Sequence, residues 1–228
     1  MQISELNDKT EQSCDSATWK NLQGARVDRI KKTKWQERRE ASLEALVRSA
    51  MRQFHERGYA ATRVEDIVEG TGYTSGAFYF HFKNKADCFS QVIALRDRLR
   101  GDWPDEVLEG LDPASTSLEA VLEKLYARFA ATEAGISAWV LIMVDFHQQN
   151  RNDPAIQAEL AETYRRWHHD IARFVRGLQR GGWIGPDRDP DLLAGQVFAY
   201  GEGMIVHSNL YQLDRPGLID GLLRLFAD

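Results

Sequence analysis

Hydroxyl, aromatic and basic side chains lie close together between residues 74 and 85 of this chain. They belong to Thr74, Ser75, Tyr79, His81 and Lys85, with two small residues, Gly76 and Ala77, among them. Hydroxyl and imidazole groups donate hydrogen bonds to phosphate oxygens and base edges, and an ammonium group neutralises a phosphate. Small residues let a helix lie close to a groove floor, where a methyl group suits thymine. These residue types at this spacing predict contact with a nucleic acid.

Two short helices joined by a glycine turn are needed to position these groups. Apolar residues at helical spacing predict the first helix over residues 62–68, and Thr62 with Glu65 has the spacing of a capping box. Gly70 and Gly72 then end that helix, because glycine adopts the positive φ of a tight turn. The hydroxyl residues that follow cap the second helix. Such a pair is a helix-turn-helix, whose second helix enters the major groove of DNA.

Longer helices are predicted on both sides of this pair. Thr33 with Gln36 has the spacing of a capping box, and the helix that it begins runs to about Arg57. The apolar stripe of this helix consists of Leu43, Leu46, Val47, Ala50, Met51 and Phe54. Asn84 caps a further helix, which ends before Gly101. The stripe requires a partner surface, and the apolar faces of the two short helices are the obvious one.

Charge is distributed unevenly along the chain. The net charge of −5 at pH 7 by itself argues against nucleic-acid binding. Residues 26–85, however, hold 13 Lys and Arg against 8 Asp and Glu, whereas the whole chain holds 29 against 34. A basic segment on an acidic body predicts one surface that faces phosphates. The basic arm before residue 33 is either a DNA contact or a solvated tail.

Residues 72–85 resemble the signature of the TetR family of bacterial transcriptional regulators. The shared features are the glycine turn, the hydroxyl-rich helix start, the aromatic centre Tyr79-Phe80-His81-Phe82 and a lysine after a short break. The resemblance extends over residues 37–92, and it implies an all-α protein that is a dimeric repressor of operator DNA. The residues that it implies in DNA contact are Arg63, Thr74, Ser75, Ala77, Tyr79, His81 and Lys85.

Three segments follow from the composition together with this resemblance. Residues 1–32 are a polar and basic arm, partly disordered; residues 33–100 are a helix-turn-helix domain of three helices with a linker helix; residues 101–228 are a helical domain for effector binding and dimerisation. The second short helix holds no Arg, Asn or Gln, the residues that read bases by paired hydrogen bonds. We therefore expect specificity to depend on Arg63, apolar contacts and DNA shape.

Two helices near the C-terminus are predicted to form a dimer interface. The helix over residues 191–211 is apolar on several faces and contains three glycines, which lower its helix propensity and suit close approach of another helix. The resemblance implies dimerisation through the last two long helices. The residues predicted at the interface are Leu192, Gly195, Ala199, Gly203, Val206, Leu218, Leu222 and Phe226. The alternative is that both helices complete the core of a monomer.

A cavity for a flat or hydrophobic effector is predicted within the C-terminal helices. Its predicted lining consists of Trp103, Phe129, Trp139, Met143, Asp145, Phe146, Trp167, Phe198 and Glu202. Asp145 lies in a predicted helix over residues 137–149 that is apolar on nearly all sides and is therefore expected to be buried. A buried carboxylate needs a hydrogen-bond donor or a positive charge to offset its lost solvation. Either the carboxylate orients a ligand, or it pairs with Arg128 or Arg165. We expect an effector to favour a half-site spacing unlike one DNA turn and so to weaken DNA binding.

Other classes of protein are less well supported by the residues. The chain lacks the Gly-x-Ser-x-Gly, P-loop and His-Glu-x-x-His signatures, so no catalytic residue, cofactor or metal is predicted. It also lacks an 18-residue apolar run and a signal-peptide pattern, so no membrane span or export is expected. Two cysteines, Cys14 and Cys88, are consistent with free thiols in a reducing cytoplasm. The alternatives are an effector-independent architectural regulator and, more remotely, a metal-sensing regulator or a small enzyme.

Overall fold

The computed structural model describes residues 33–130, 136–211 and 217–227. The chain divides into two compact units, residues 1–40 and residues 41–228. The predicted arm over residues 1–32, with Cys14, lies outside the described residues. The described residues form helices and turns without a strand, which confirms the all-α prediction.

Ten helices are present among the described residues. They are α1 (Lys34–Arg57), α2 (Val64–Val68), α3 (Ser75–His81), α4 (Lys85–Arg100), α5 (Trp103–Leu108), α6 (Leu118–Ala130), α7 (Ile136–Gln149), α8 (Pro154–Gly181), α9 (Pro190–Tyr211) and α10 (Leu218–Ala227). Most of their starts follow the expected capping chemistry. The backbone N–H of Thr33 donates to Gln36 Oε1 at 2.8 Å, and that of Gln36 donates to Thr33 Oγ1 at 3.2 Å. Asn84 accepts from the backbone N–H of Asp87 at 2.9 Å.

The start of α2 differs from the prediction. Thr62 is fully buried, and its hydroxyl donates to the carbonyl oxygen of Gly58 at 2.7 Å, so it completes the end of α1 and does not cap α2. The N-cap is Arg63, whose backbone N–H donates to Asp66 Oδ2 at 2.7 Å. Only the Asp66 half of a capping box forms, one residue later than the sequence indicated, because the Arg63 side chain has no acceptor and the Thr62 hydroxyl donates to the preceding helix.

One apolar cluster joins the helix-turn-helix to the helices that follow it. Leu46, Ala50 and Phe54 of α1 are fully buried and belong to one cluster with Ile67 and Phe78 of the short helices. The cluster continues into α4 and α7. The buried rings that carry it there are those of Tyr59, Phe89, Trp139 and Phe146. Because close-packed interiors transmit strain, we expect a displacement of α7 to shift the side chains that support the helix-turn-helix.

A second apolar cluster holds α5, α6, α8, α9 and α10 together. Its buried members include Trp103, Val121, Phe174, Leu193 and Phe226. The helix α7 is amphipathic rather than buried all round, since Val144 on one side is half exposed and His147 is exposed. Among the described residues, no helix is both long enough and apolar enough to cross a membrane.

Candidate nucleic-acid interface and internal cavity

The second helix of the helix-turn-helix is held at its start by the predicted turn and cap. Gly70 and Gly72 have backbone φ angles of +72° and +77°, which residues with a Cβ atom rarely adopt. Thr74 is the N-cap of α3, and its Oγ1 accepts from the backbone N–H of Ala77 at 3.4 Å. Ser75 and Ala77 are half-buried, whereas Thr74 and Gly76 are exposed.

Two phenylalanines fix which side of α3 faces outward. Phe78 and Phe82 are buried in the first apolar cluster with their ring centroids 4.9 Å apart. Tyr79 and Phe80 point away from it, with 59% and 61% of their surfaces exposed. Phe80 had no clear orientation from the sequence, and the structure adds it to the candidate contacts. An exposed aromatic pair on a glycine-entered helix offers apolar area and one phenol to a groove.

His81 is bound within the domain rather than presented to solvent. Its Nε2 lies 2.7 Å from the Oγ of Ser42 on α1, where Ser42 is buried and His81 is half-buried. The ring therefore positions α3 on α1. Direct DNA contact by His81 stays a prediction from the resemblance, and this geometry does not support it.

Lys85 differs from the predicted phosphate contact. Its Nζ donates to the carbonyl oxygens of Tyr59 and Thr62, both at 2.8 Å, and to that of Ala60 at 3.3 Å. It also lies 4.4 Å from the centroid of the Tyr59 ring. Burial lowers the pKa of Lys85, while Asp145 opposes that change. The ammonium group of Lys85 thus holds the loop between α1 and α2 in place. Lys83, two residues earlier, is exposed and is available to a phosphate.

The two lysines make a matched pair for a test. We expect Lys83→Met to reduce the slope of log K against log salt for operator binding by about 0.9 for each chain bound, the effect of one lost phosphate contact per half-site, and to leave stability unchanged. We expect Lys85→Met to lower the free energy of unfolding by about 3 kcal/mol, because three loop carbonyl oxygens, two of them in part-buried hydrogen bonds, lose a charged donor. Fluorescence anisotropy over a salt series and urea unfolding measure the two effects. The reverse pattern would return the phosphate role to Lys85.

An apolar cavity of about 250 Å³ lies among α4, α6, α7, α8 and α9. Seven of the nine predicted residues line it: Trp103, Phe129, Trp139, Met143, Trp167, Phe198 and Glu202. Asp145 and Phe146 do not, so these two predictions need correction. Phe146 packs on Phe89 at 4.2 Å between ring centroids, in the apolar cluster that reaches the helix-turn-helix.

Asp145 makes a contact that the sequence did not indicate. Its Oδ2 accepts from the backbone N–H of Ala60 at 2.7 Å, which connects α7 to the loop between α1 and α2. Neither proposed arginine partner is near it: Arg128 pairs with Glu106, and Arg165 pairs with Glu162. The sequence signal for Asp145, a carboxylate in an apolar helix, was correct in requiring a partner but could not distinguish a backbone N–H from a ligand or an arginine.

Several polar groups that sequence reasoning did not select also line the cavity. Arg96 and Arg100 lie one turn apart on α4, with their guanidinium carbons 4.0 Å and 4.4 Å from the ring centroids of Trp139 and Trp167. Burial raises the pKa of Glu202, and burial with the nearby Glu202 charge raises the pKa of Tyr164 to about 12. The arginines were missed because α4 was interpreted only as a linker.

The predicted dimer residues fall into two groups. On α9, Leu192, Ala199 and Gly203 are exposed, and Gly195 and Val206 are partly so. On α10, Leu222 and Phe226 are buried in the second apolar cluster, and Leu218 packs against it. The α10 residues are therefore part of the chain's own core, because the stripe of α10 covers α6 and α9. Burial in the chain's own core does not support placing these three residues at an interface, and their role there stays a prediction.

An unpartnered seam runs along α9. Residues 192, 196, 199, 203, 206 and 210 alternate spacings of four and three, the pattern of a helix that packs along another helix. Leu192 is 64% exposed and Leu210 is 59% exposed. A Cβ at Gly203 would meet no described atom within 4 Å, so packing within the described chain does not explain this glycine. We call these six positions the α9 seam.

Among the described residues, no three His, Cys, Asp or Glu side chains lie close enough to hold a metal ion. His147, Glu202 and His207, which lie within the described residues, do not form such a group. Cys88 is buried, and burial raises the pKa of its thiol above the usual value.

Comparisons with known proteins agree with this arrangement. The family described as "Bacterial regulatory proteins, tetR family" matches residues 46–92, and that described as "BetI-type transcriptional repressor, C-terminal" matches residues 114–220. An uncharacterized HTH-type transcriptional regulator of Bacillus subtilis, YwcC, is 41% identical over 201 residues, which cover 85% of this chain and 87% of that protein.

Two solved structures share the fold. A putative transcriptional regulator from Saccharomonospora viridis in complex with choline has a TM-score of 0.61 at 21% identity, covering 82% of this chain and 93% of that one. The regulator FadR from Bacillus subtilis in complex with stearoyl-CoA has a TM-score of 0.60 at 17% identity, covering 80% and 96%. At these identities the likeness concerns the fold alone.

Proposed function

Because this chain belongs to the TetR family of bacterial regulatory proteins, we propose that it is a transcriptional repressor that binds a palindromic operator as a homodimer and leaves it when a small effector enters the cavity. The observation that carries this proposal is the combination of α3, with its outward aromatic pair, and an apolar cavity connected to it by α7. Neither feature needs a catalytic group. Membership of this family already makes the chain a DNA-binding transcriptional regulator rather than an enzyme.

The proposed DNA contacts start from α3 and its flanks. The exposed residues that we assign to this recognition surface are Arg63, Thr74, Gly76, Tyr79, Phe80 and Lys83. Ser75 and Ala77 are half-buried beside them and contribute the helix start and a methyl group. His81 and Lys85 hold the surface in place from behind. Since no side chain of α3 reads bases by paired hydrogen bonds, Arg63, apolar contacts with the bases and the shape of the DNA carry the specificity.

The homodimer follows from the α9 seam. Its six positions have the spacing of a packed helix pair but lack a partner within the described chain. A symmetry-related α9 would cover Leu192 and Leu210 and would explain a glycine at position 203. Such a dimer places two recognition surfaces about 34 Å apart, one turn of DNA. A palindromic operator is the expected partner of that symmetry.

Release by an effector uses α7 as the connection. Trp139, Val140 and Met143 of this helix line the cavity. Asp145 accepts from the loop at Ala60, and Phe146 packs on Tyr59 of that loop and on Phe89 of α4. A ligand that displaces α7 therefore moves the loop at Ala60 and changes the separation of the two recognition surfaces. The competing interpretation, an effector-independent regulator, predicts no cavity, and a cavity of about 250 Å³ favours the effector-responsive one.

The direct test is binding to DNA from upstream of the chain's own gene. We expect saturable binding by two chains per site, at least about 1,000-fold tighter than binding to a scrambled fragment of equal length. Fluorescence anisotropy at several salt concentrations gives the affinity, and analytical ultracentrifugation of the complex gives the stoichiometry. Equal affinity for both fragments, after other intergenic regions have also been screened, would contradict the proposed function.

A further inference from the structure

The polar side chains of the cavity are dominated by hydrogen-bond donors on one wall. Arg96 and Arg100 of α4 both line the cavity and are covered by the rings of Trp139 and Trp167. Arginine carries five N–H donors and no acceptor, so the two guanidinium groups give this wall hydrogen-bond donors and positive charge.

Trp139 adds a third donor to this wall. The residue is only 4% exposed, and its Nε1 has no hydrogen-bond acceptor among the described residues. Trp167 provides the contrast, because its Nε1 donates to Asp97 Oδ1 at 2.8 Å. Buried polar groups in native proteins are almost always paired, so an unpaired N–H on a cavity wall indicates a ligand that accepts from it.

The charges around this wall favour an anion. Burial, with repulsion from Arg100, lowers the pKa of Arg96 to about 9, although Asp97 opposes the change. Burial also lowers the pKa of Arg100, opposed by Asp97 and Asp170. Asp97 is already engaged by Trp167 and Arg166. An anion beside the two guanidinium groups would relieve their mutual repulsion and replace part of their lost solvation.

We propose that the effector is a small amphipathic carboxylate, whose anionic group lies against Arg96, Arg100 and the Nε1 of Trp139. This inference rests on the proposed function, since it specifies the ligand of the same cavity. The remaining lining is apolar and aromatic and receives an alkyl or aryl body. The cavity volume of about 250 Å³ lies just below the usual range for small-ligand sites, about 300–1,000 Å³, so the cavity suits a small ligand.

Isothermal titration calorimetry of the full-length protein with matched probes tests the proposal. The carboxylates are octanoate and 4-phenylbutyrate, and the neutral controls are octan-1-ol and 4-phenylbutan-1-ol. We expect each carboxylate to bind at least about tenfold tighter than its alcohol, because it alone gains charge-assisted hydrogen bonds. Arg100→Gln should remove that preference, and Trp139→Phe, which removes the N–H and keeps an aromatic ring, should reduce it severalfold. Arg98→Gln, an exposed arginine of the same helix, should leave it unchanged.

The following results would contradict a carboxylate effector. Equal affinity of carboxylate and alcohol, or no binding of either carboxylate at millimolar concentration, overturns the proposal. Tighter binding of octylammonium than of octanol, lost in Glu202→Gln, overturns it in favour of a cationic effector. These titrations contain no DNA, so they are independent of the operator experiment. A protein that binds its upstream DNA without carboxylate preference refutes only this inference, and one that shows the preference but binds no DNA refutes only the proposed function.

Discussion

Replacing Gly203 by arginine is expected to convert the protein to a monomer and to weaken operator binding by about 1,000-fold, the loss of avidity when two linked contacts become one. Gly203 lies in the α9 seam, where a Cβ meets no described atom of the chain. The arginine is therefore tolerated by the folded monomer. In a dimer, however, its side chain would meet the facing helix and bury a charge without a partner.

The control for this variant is Ala127→Arg. Ala127 is an exposed small residue in the interior of α6, so the same side chain is added to a helix surface outside the seam. Sedimentation velocity measures the oligomeric state, circular dichroism checks the fold, and anisotropy measures operator affinity. We expect Ala127→Arg to match the wild type in all three. A dimeric Gly203→Arg protein would place the interface elsewhere and would remove the assignment of the α9 seam.

The helix-turn-helix was predictable from the sequence because its determinants are local. Glycines at positions 70 and 72, a threonine cap at position 74 and apolar residues at helical spacing each act within a few residues of one another. The shift of the α2 cap from Thr62 to Arg63 is the exception, since the acceptor of the Thr62 hydroxyl is in α1. Local rules place a cap to within a residue and fail where a tertiary acceptor competes.

The role of a charged side chain was less predictable. Lys83 and Lys85 are the same residue type in the same short segment, yet one is exposed and the other binds three carbonyl oxygens of a distant loop. Asp145 likewise contacts a backbone N–H that lies 85 residues earlier. Periodicity indicates which face of a helix is apolar, but the polar partner depends on how helices pack, which a single sequence does not state.

The same limit explains the partial success at the cavity and the interface. Large aromatic residues were expected around a cavity, and Trp103, Trp139 and Trp167 are among the residues that line it. The apolar stripe of α10 was assigned to a partner chain, although the chain's own α6 and α9 cover it. An amphipathic stripe requires burial but does not specify whether the covering surface belongs to the same chain.

Truncating the outward aromatic pair, Tyr79→Ala with Phe80→Ala, is expected to weaken operator binding by about 100-fold, because each of two half-sites loses about 1.4 kcal/mol. Both side chains are more than half exposed, so little packing is lost and the free energy of unfolding should stay within about 0.5 kcal/mol of the wild type. Urea unfolding and fluorescence anisotropy on operator and scrambled DNA measure the two quantities. Unchanged operator affinity would show that α3 presents another face to DNA.

A second variant separates the two ways in which Tyr79 can contribute. Tyr79→Phe keeps the aromatic ring and removes only the hydroxyl. If the hydroxyl binds a phosphate, this variant should lose most of the operator affinity that Tyr79 contributes. If the ring packs in the groove, it should lose almost none. Because α3 lacks Arg, Asn and Gln, we expect the packing result, with a loss of less than about threefold. Specificity should then fall together with affinity in the double alanine variant, since apolar contacts with thymine methyl groups distinguish sequences and phosphate contacts do not.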